Sequence, residues 1–171
     1  MTISLGILTI SDRSSAGERA DSSGPALANA AEQHGWRIAC TGIIPDDHQI
    51  ISSTLTDWCD RSEENLGVIL TTGGTGFTPR DVTPEATLKI IERSAPGIAE
   101  AMRLASLKVT PHAMLSRGIA GIRGRTLIIN LPGSPKAALE NFEVVAPVLQ
   151  HAVELLKNSP AAEAGHHVTN D

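Results

Sequence analysis

Short aliphatic runs alternate with stretches of helical apolar spacing from residue 3 to residue 157, and few architectures accept such a chain. Strand, helix and strand in succession build βαβ units, so the pattern predicts an α/β fold with a mostly parallel sheet covered on both faces. Residues 3–10 read as the first strand and 24–34 as the first helix, with Pro25 in its opening turn and Gly35 closing it. The second strand spans Arg37–Ile44 and stops at Pro45. Over residues 47–61, Ile50, Ile51, Leu55 and Trp58 form one apolar stripe, which predicts a helix. Residues 67–70 are apolar throughout, the mark of a central strand.

Thr83-Pro84-Glu85 reads as N-cap, N1 proline and first-turn acid of a helix reaching about residue 93. Pro96-Gly97 breaks it, and Ile98, Met102 and residues 104–107 predict another helix, followed by a short helical piece between Pro111 and Gly118. Residues 119–122 and 125–131 then form a late hairpin turning at Arg123-Gly124. A last helix over 135–157 carries Phe142, Val145, Leu149, Val153 and Leu156 on one face, interrupted or kinked at Pro147. One domain over 1–158 is expected, with 159–171 a disordered tail whose His166-His167 pair is incidental rather than a metal site.

Composition narrows the function. The 171 residues include no Tyr and only 2% aromatics, so the core is aliphatic and base-stacking platforms are disfavoured. A net charge of −5 opposes the field that binding to nucleic acid needs. The chain begins without a basic leader and no apolar run reaches the ~18–20 residues of a membrane span, which gives the expectation of a soluble, cytoplasmic protein without membrane or nucleic-acid partners. Cys40 and Cys59 are isolated in apolar segments and read as buried thiols.

The densest chemistry lies after the third strand, in Thr71-Thr72-Gly73-Gly74-Thr75-Gly76. Three glycines at a strand's carboxyl end let backbone N–H groups converge on phosphate, although they also suit a tight turn. Neither GxxxxGK[ST] nor GxGxxG is completed, so P-loop hydrolysis and dinucleotide redox chemistry are unsupported. Arg80 could pair with phosphate, whereas neighbouring Asp81 would repel it unless Mg²⁺ lay between; the alternative for Asp81 is helix capping. After the second strand come Asp46 and Asp47. Asp47 is placed to cap the next helix, leaving Asp46 as the candidate partner of Asp81 around a metal-bound triphosphate. Ser11, Asp12 and the helix entry at residues 21–25 offer hydroxyls and an acid near a helix N-terminus, and a solvated loop is equally compatible. Asn130-Leu131-Pro132-Gly133-Ser134-Pro135-Lys136 adds an amide, a hydroxyl and a cation where a strand meets a helix.

Together, Thr9-Ile10-Ser11-Asp12, the glycine loop, Arg80-Asp81-Val82-Thr83-Pro84-Glu85-Ala86-Thr87 and residues 130–136 resemble the molybdenum-cofactor biosynthesis family, specifically molybdopterin adenylyltransferases of the Mog type. Thr78-Pro79-Arg80-Asp81 and Ala113-Met114-Leu115-Ser116-Arg117 look more like the plant-type adenylyltransferase domain. The resemblance implies a three-layer α/β/α domain, usually a homotrimer, that transfers AMP from Mg-ATP to the terminal phosphate of molybdopterin and hands the product to a molybdenum-insertion protein. It implies Asp46 and Asp81 as the essential, Mg²⁺-holding aspartates. Ser116 and Asn130 match polar positions linked to ligand binding, and the loop Gly73, Gly74, Thr75, Gly76 would contact phosphates. Ser11, Asp12, Thr72, Arg80, Pro132, Gly133, Ser134 and Lys136 complete the expected substrate and nucleotide site, with ATP a co-substrate and no permanently bound cofactor. A related Moa-type protein that binds or carries the pterin without catalysis is the alternative.

Overall fold

The computed structural model describes residues 2–61 and 65–157, so the expected tail at 159–171 lies outside the described residues. The chain runs β1 (Ser4–Ile10), α1 (Asp12–Ser15), α2 (Ser23–Gln33), β2 (Arg37–Ile44), α3 (His48–Asp60), β3 (Val68–Thr72), α4 (Thr83–Ile90), β4 (Arg93–Ser94) and α5 (Pro96–Leu107). A 3₁₀ turn (Pro111–Leu115), β5 (Ala120–Arg123), β6 (Thr126–Leu131) and α6 (Pro135–Leu156) complete it.

The six strands make one sheet in the order β2-β1-β3-β6-β5-β4. β2, β1, β3 and β6 are parallel, and β5 and β4 are added antiparallel, which places the expected hairpin at the sheet's far side. Side chains alternate across a strand, so each strand feeds two cores. Leu5, Ile7, Val68, Leu70, Leu127 and Ile129 face α2, α5 and α6, where Phe142 is wholly buried. Leu8, Ile10, Ile69 and Ile128 face α3 and α4 through Ile51, Leu55, Trp58 and Ile90. This is a three-layer α/β/α sandwich, and β3 is central because both its faces are covered.

Several boundaries depart from the sequence pattern. α4 stops at Ile90 rather than near residue 93, because Ile91 turns extended and Arg93 and Ser94 pair with Ile122 and Gly121 as a two-residue strand. Thr83 is not the cap of α4: Val82 is, and the Thr83 hydroxyl donates instead to Gly73 O at 2.9 Å. α6 continues across Pro147 without interruption. Cys40 and Cys59 are half-buried thiols outside any disulfide, and burial pushes the Cys59 thiol up to about 12, which leaves it unreactive. Among the described residues, no helix is long and apolar enough to cross a membrane.

β1 has β2 on one side and β3 on the other, so the chain reverses its direction of winding between β1 and β3. Ligands of open α/β sheets bind beyond the carboxyl ends of strands at such a point. Here those ends are Ile10 and Thr72, directly before Ser11 and Gly73.

Candidate functional site

A polar cleft of about 410 Å³ opens at that point, and Ser11, Asp46, Thr72, Gly73, Gly74, Asp81, Gly133 and Ser134 all line it. The sequence-predicted residues of four separate segments therefore meet. Their meeting depends on backbone conformations that only glycine tolerates well. Gly73 has φ +105°, and a Cβ there would stand 2.2 Å from Ile10 O; Gly74 has φ +64°, and a Cβ would strike the Thr83 hydroxyl and approach Asp46 Oδ1.

The loop is held from several sides. Gly73 N–H donates to Leu131 O (3.2 Å), Thr83 N–H to Gly74 O (3.1 Å), and the Thr72 hydroxyl to Pro132 O (2.7 Å). Gly73 N–H is thus spent on extending the β3–β6 ladder and is not a phosphate donor. The N–H groups of Gly74, Thr75 and Gly76 meet no acceptor among the described residues. These three are the donors left for an anion.

Asp46 is fixed by a reciprocal pair of bonds: Asp12 N–H donates to Asp46 Oδ2 (2.8 Å), and Asp46 N–H donates to Asp12 Oδ1 (3.0 Å). Arg80 grips Asp12 with two bonds, Nε to Oδ2 at 2.9 Å and Nη2 to Oδ1 at 2.8 Å. The Arg80 bonds chiefly hold the Asp12 carboxyl below the usual carboxylate range. Asp46 is pushed the other way, first by burial and then by the negative charges of Asp12 and Asp81. Asp81 Oδ2 accepts from Thr78 N–H at 2.7 Å, which closes the turn after the glycines and leaves α4 uncapped by it.

Asp46 Oδ1 and Asp81 Oδ1 therefore have no donor among the described residues. Two carboxylate oxygens facing one polar cleft suit Mg²⁺, which takes one or two protein carboxylates and fills its other positions with water and substrate phosphates. No group of three or more His, Cys, Asp or Glu placed to hold a metal ion occurs among the described residues.

Asp47 plays a different part. Its Oδ1 accepts from Gln49 N–H and Ile50 N–H, both at 2.9 Å, so it caps α3. Asp47→Ala is expected to lower Tm by a few degrees in a thermal melt and to leave ligand binding and turnover unchanged. Loss of turnover in that variant, with Tm preserved, would contradict this division of labour.

A second cavity of about 290 Å³, largely apolar, lies across the glycine loop. Thr75, Gly76, Ser116 and Pro132 border it, with Ala113, Leu115 and Ala137 supplying apolar surface and Arg103, Glu140 and Asn141 polar edges. The loop is thus a common wall, with Gly73 and Gly74 toward the polar cleft and Thr75 and Gly76 toward the apolar cavity. Four sequence-predicted residues lie outside both spaces: Asp12 and Arg80, which are paired with each other, and Asn130 and Lys136. Asn130 is buried, where its Nδ2 donates to the Thr71 and Thr87 hydroxyls (3.0 Å each), tying β6 to β3 and α4. Lys136 is exposed beside Glu140 at 3.9 Å.

The helix entry at residues 21–25, expected to suit an anionic group unless it were a solvated loop, lines the cleft with its acid already bound. Asp21 lines the polar cleft but is fully engaged, accepting from the Thr9 hydroxyl (2.7 Å), Ser23 N–H and Gly24 N–H. It satisfies the start of α2, so that helix N-terminus is not free for a ligand. Arg117 reaches the glycine loop from 41 residues away, donating to Gly76 O at 2.7 Å. Sequence reasoning missed this role of Arg117, which no local pattern signals.

The family described as "Probable molybdopterin binding domain" matches residues 6–151. The chain is 47% identical over 156 residues to the molybdenum cofactor synthesis protein cinnamon of Drosophila melanogaster, covering 91% of this chain and 26% of that protein, so it spans about a quarter of that relative's length. It is 43% identical over 163 residues to the molybdopterin adenylyltransferase of Helicobacter pylori strain J99, covering 91% of this chain and 88% of the relative. The crystal structure of the molybdopterin biosynthesis enzyme MoaB from Thermus thermophilus superposes with a TM-score of 0.86 at 48% identity, over 93% of this chain and 99% of the other. With the fold, the glycine loop and a match over most of its length in agreement, the chain belongs to the molybdopterin-binding domain family of molybdenum-cofactor biosynthesis.

Proposed function

We propose that this chain transfers AMP from Mg-ATP to the terminal phosphate of molybdopterin, releasing pyrophosphate and giving adenylyl-molybdopterin for a downstream molybdenum-insertion protein in the cytoplasm. One observation carries the reading: Asp46 and Asp81 face a single cleft beside uncommitted loop N–H groups. The naming of the Helicobacter relative as a molybdopterin adenylyltransferase supports it. The polar cleft suits phosphates and the apolar cavity suits a planar ring, so the loop between them stands where a phosphate joined to a ring system would cross.

Nucleotidyl transfer asks for positioning and charge neutralisation rather than a protein nucleophile. A molybdopterin phosphate oxygen attacks the α-phosphorus in line, and the bond to the pyrophosphate oxygen breaks. The N–H groups of Gly74, Thr75 and Gly76 orient the phosphates, and Asp12 with Arg80 keeps Asp46 in place. Asp46 and Asp81 would hold Mg²⁺, which supplies the positive charge that lets one anion approach another. The cleft needs such an ion, since it presents Asp21, Asp46 and Asp81 against Arg19 alone.

A homotrimer is part of the proposal. Leu104, Val109 and Met114 lie on or beside α5 and the 3₁₀ turn, each about two-thirds exposed, and apolar surface of this kind is normally covered by a partner. The deciding assay incubates purified protein with molybdopterin and Mg-ATP, then looks for adenylylated pterin and pyrophosphate. Product should form and should vanish when Mg²⁺ is omitted. Pterin binding without pyrophosphate release would instead establish the non-catalytic carrier reading.

A further inference from the structure

Residues 77–80, which join the glycine loop to Asp81, bury no side chain, and Phe77 is 67% exposed. A segment without apolar anchorage keeps one shape only if its polar groups are pinned. The turn pins itself through Asp81 N–H to Thr78 O and Thr78 N–H to Asp81 Oδ2. Those bonds fix its internal shape, and Arg80 attaches its end to the domain through the two bonds to Asp12.

Arg117 supplies a second attachment, from the other side of the turn. Its Nε donates to Gly76 O, before the turn, and its Nη2 donates to Asp81 O, after it. The same guanidinium forms an ion pair with Glu85 in the first turn of α4, and Arg117 N–H donates to Thr75 O at 3.0 Å. One residue thus ties both ends of the exposed turn to the helix that follows it. Its neighbour Ser116 borders the apolar cavity, so the same short stretch touches the far side of the loop wall.

Resting on the transferase reading above, we propose that Arg117 is a positioning residue. It sets the place of the Asp81 carboxylate and of the loop N–H groups relative to the apolar cavity, and it contacts no substrate itself. A planar fork with donors in several directions is required for this. A lysine, with one compact charged end, cannot reach Gly76 O, Asp81 O and Glu85 together.

The test compares wild type, Arg117→Lys and Arg117→Ala. Arg117→Lys should melt within a few degrees of wild type and lose kcat by about tenfold or more, with KM for ATP changed much less. Methylguanidinium should restore part of the kcat of Arg117→Ala, and methylammonium should not. Amide hydrogen exchange over residues 74–81 should quicken in both variants. Wild-type kcat in Arg117→Lys, or unchanged exchange in both variants, overturns the assignment. A kcat loss that only follows the drop in Tm, with no guanidinium rescue, overturns it as well. A wild-type protein that forms no adenylyl product defeats the transferase reading, while the exchange measurement still decides whether Arg117 fixes the loop.

Discussion

Asp81→Asn and Asp46→Asn are each expected to slow adenylyl transfer in a single turnover by roughly 100-fold or more, the scale of losing one preorganised electrostatic contact. Neither change should disturb the fold. The asparagine carbonyl can still accept from Thr78 N–H or from Asp12 N–H, the bonds that hold the two side chains now. What disappears is the negative charge and one strong oxygen ligand at Oδ1. Titration with Mn²⁺ in the presence of a non-hydrolysable ATP analogue should show weaker metal binding in both variants, with circular dichroism unchanged. Either variant reacting at the wild-type rate would remove that aspartate from the mechanism. Removing both should cost less than the product of the two single losses, because each carboxylate needs the other to complete the site.

Gly73→Ala is the second large effect. The backbone at Gly73 sits at φ +105°, where an L side chain is strained, and the added Cβ would lie 2.2 Å from Ile10 O. That oxygen belongs to the end of β1, so relief requires the loop to leave the sheet. Strain and clash together should cost about 3 kcal/mol or more, a Tm lowered by roughly 6–12 °C in a domain of this size. Transfer should fall by roughly 100-fold in the fraction that remains folded, since a displacement of about 1 Å has that effect elsewhere. Gly124→Ala makes the control. Gly124 also has positive φ, +56°, but nothing lies within 4 Å of its Cβ position, so only the conformational strain of about 1–3 kcal/mol applies. Equal melting temperatures for the two variants would show that the contact with Ile10 O is not decisive.

The central sheet was legible because its strands are buried on both faces and so read as unbroken aliphatic runs. Asp46 and Asp47 could also be separated from sequence, since capping a helix before an apolar stripe is a local property. α1 and β4 were not visible, being four and two residues long. β4 exists only because β5, nearly thirty residues later, offers it Ile122 and Gly121. The same non-locality hid Thr83, whose hydroxyl turns back to Gly73 O, and Arg117, whose partners are Gly76, Asp81 and Glu85. Asn130 shows the converse difficulty. Its setting in a strand-to-helix motif suggests a ligand contact, yet the amide is spent on Thr71 and Thr87. Sequence supplies the chemical type of such a group, and only packing decides whether it faces inward or toward a ligand.

The four residues Gly73 to Gly76 border two different chambers, the first pair one and the second pair the other. Two reagents can therefore be chosen by separate sets of side chains and still react across a shared boundary. Under the transferase proposal, selectivity for one can drift through changes at Ser106 or Ala137, which border the apolar cavity, while Ser11 and Ser134, which line the polar cleft, stay as they are. A scaffold built this way can acquire a new ring-bearing partner without relearning how to hold phosphate.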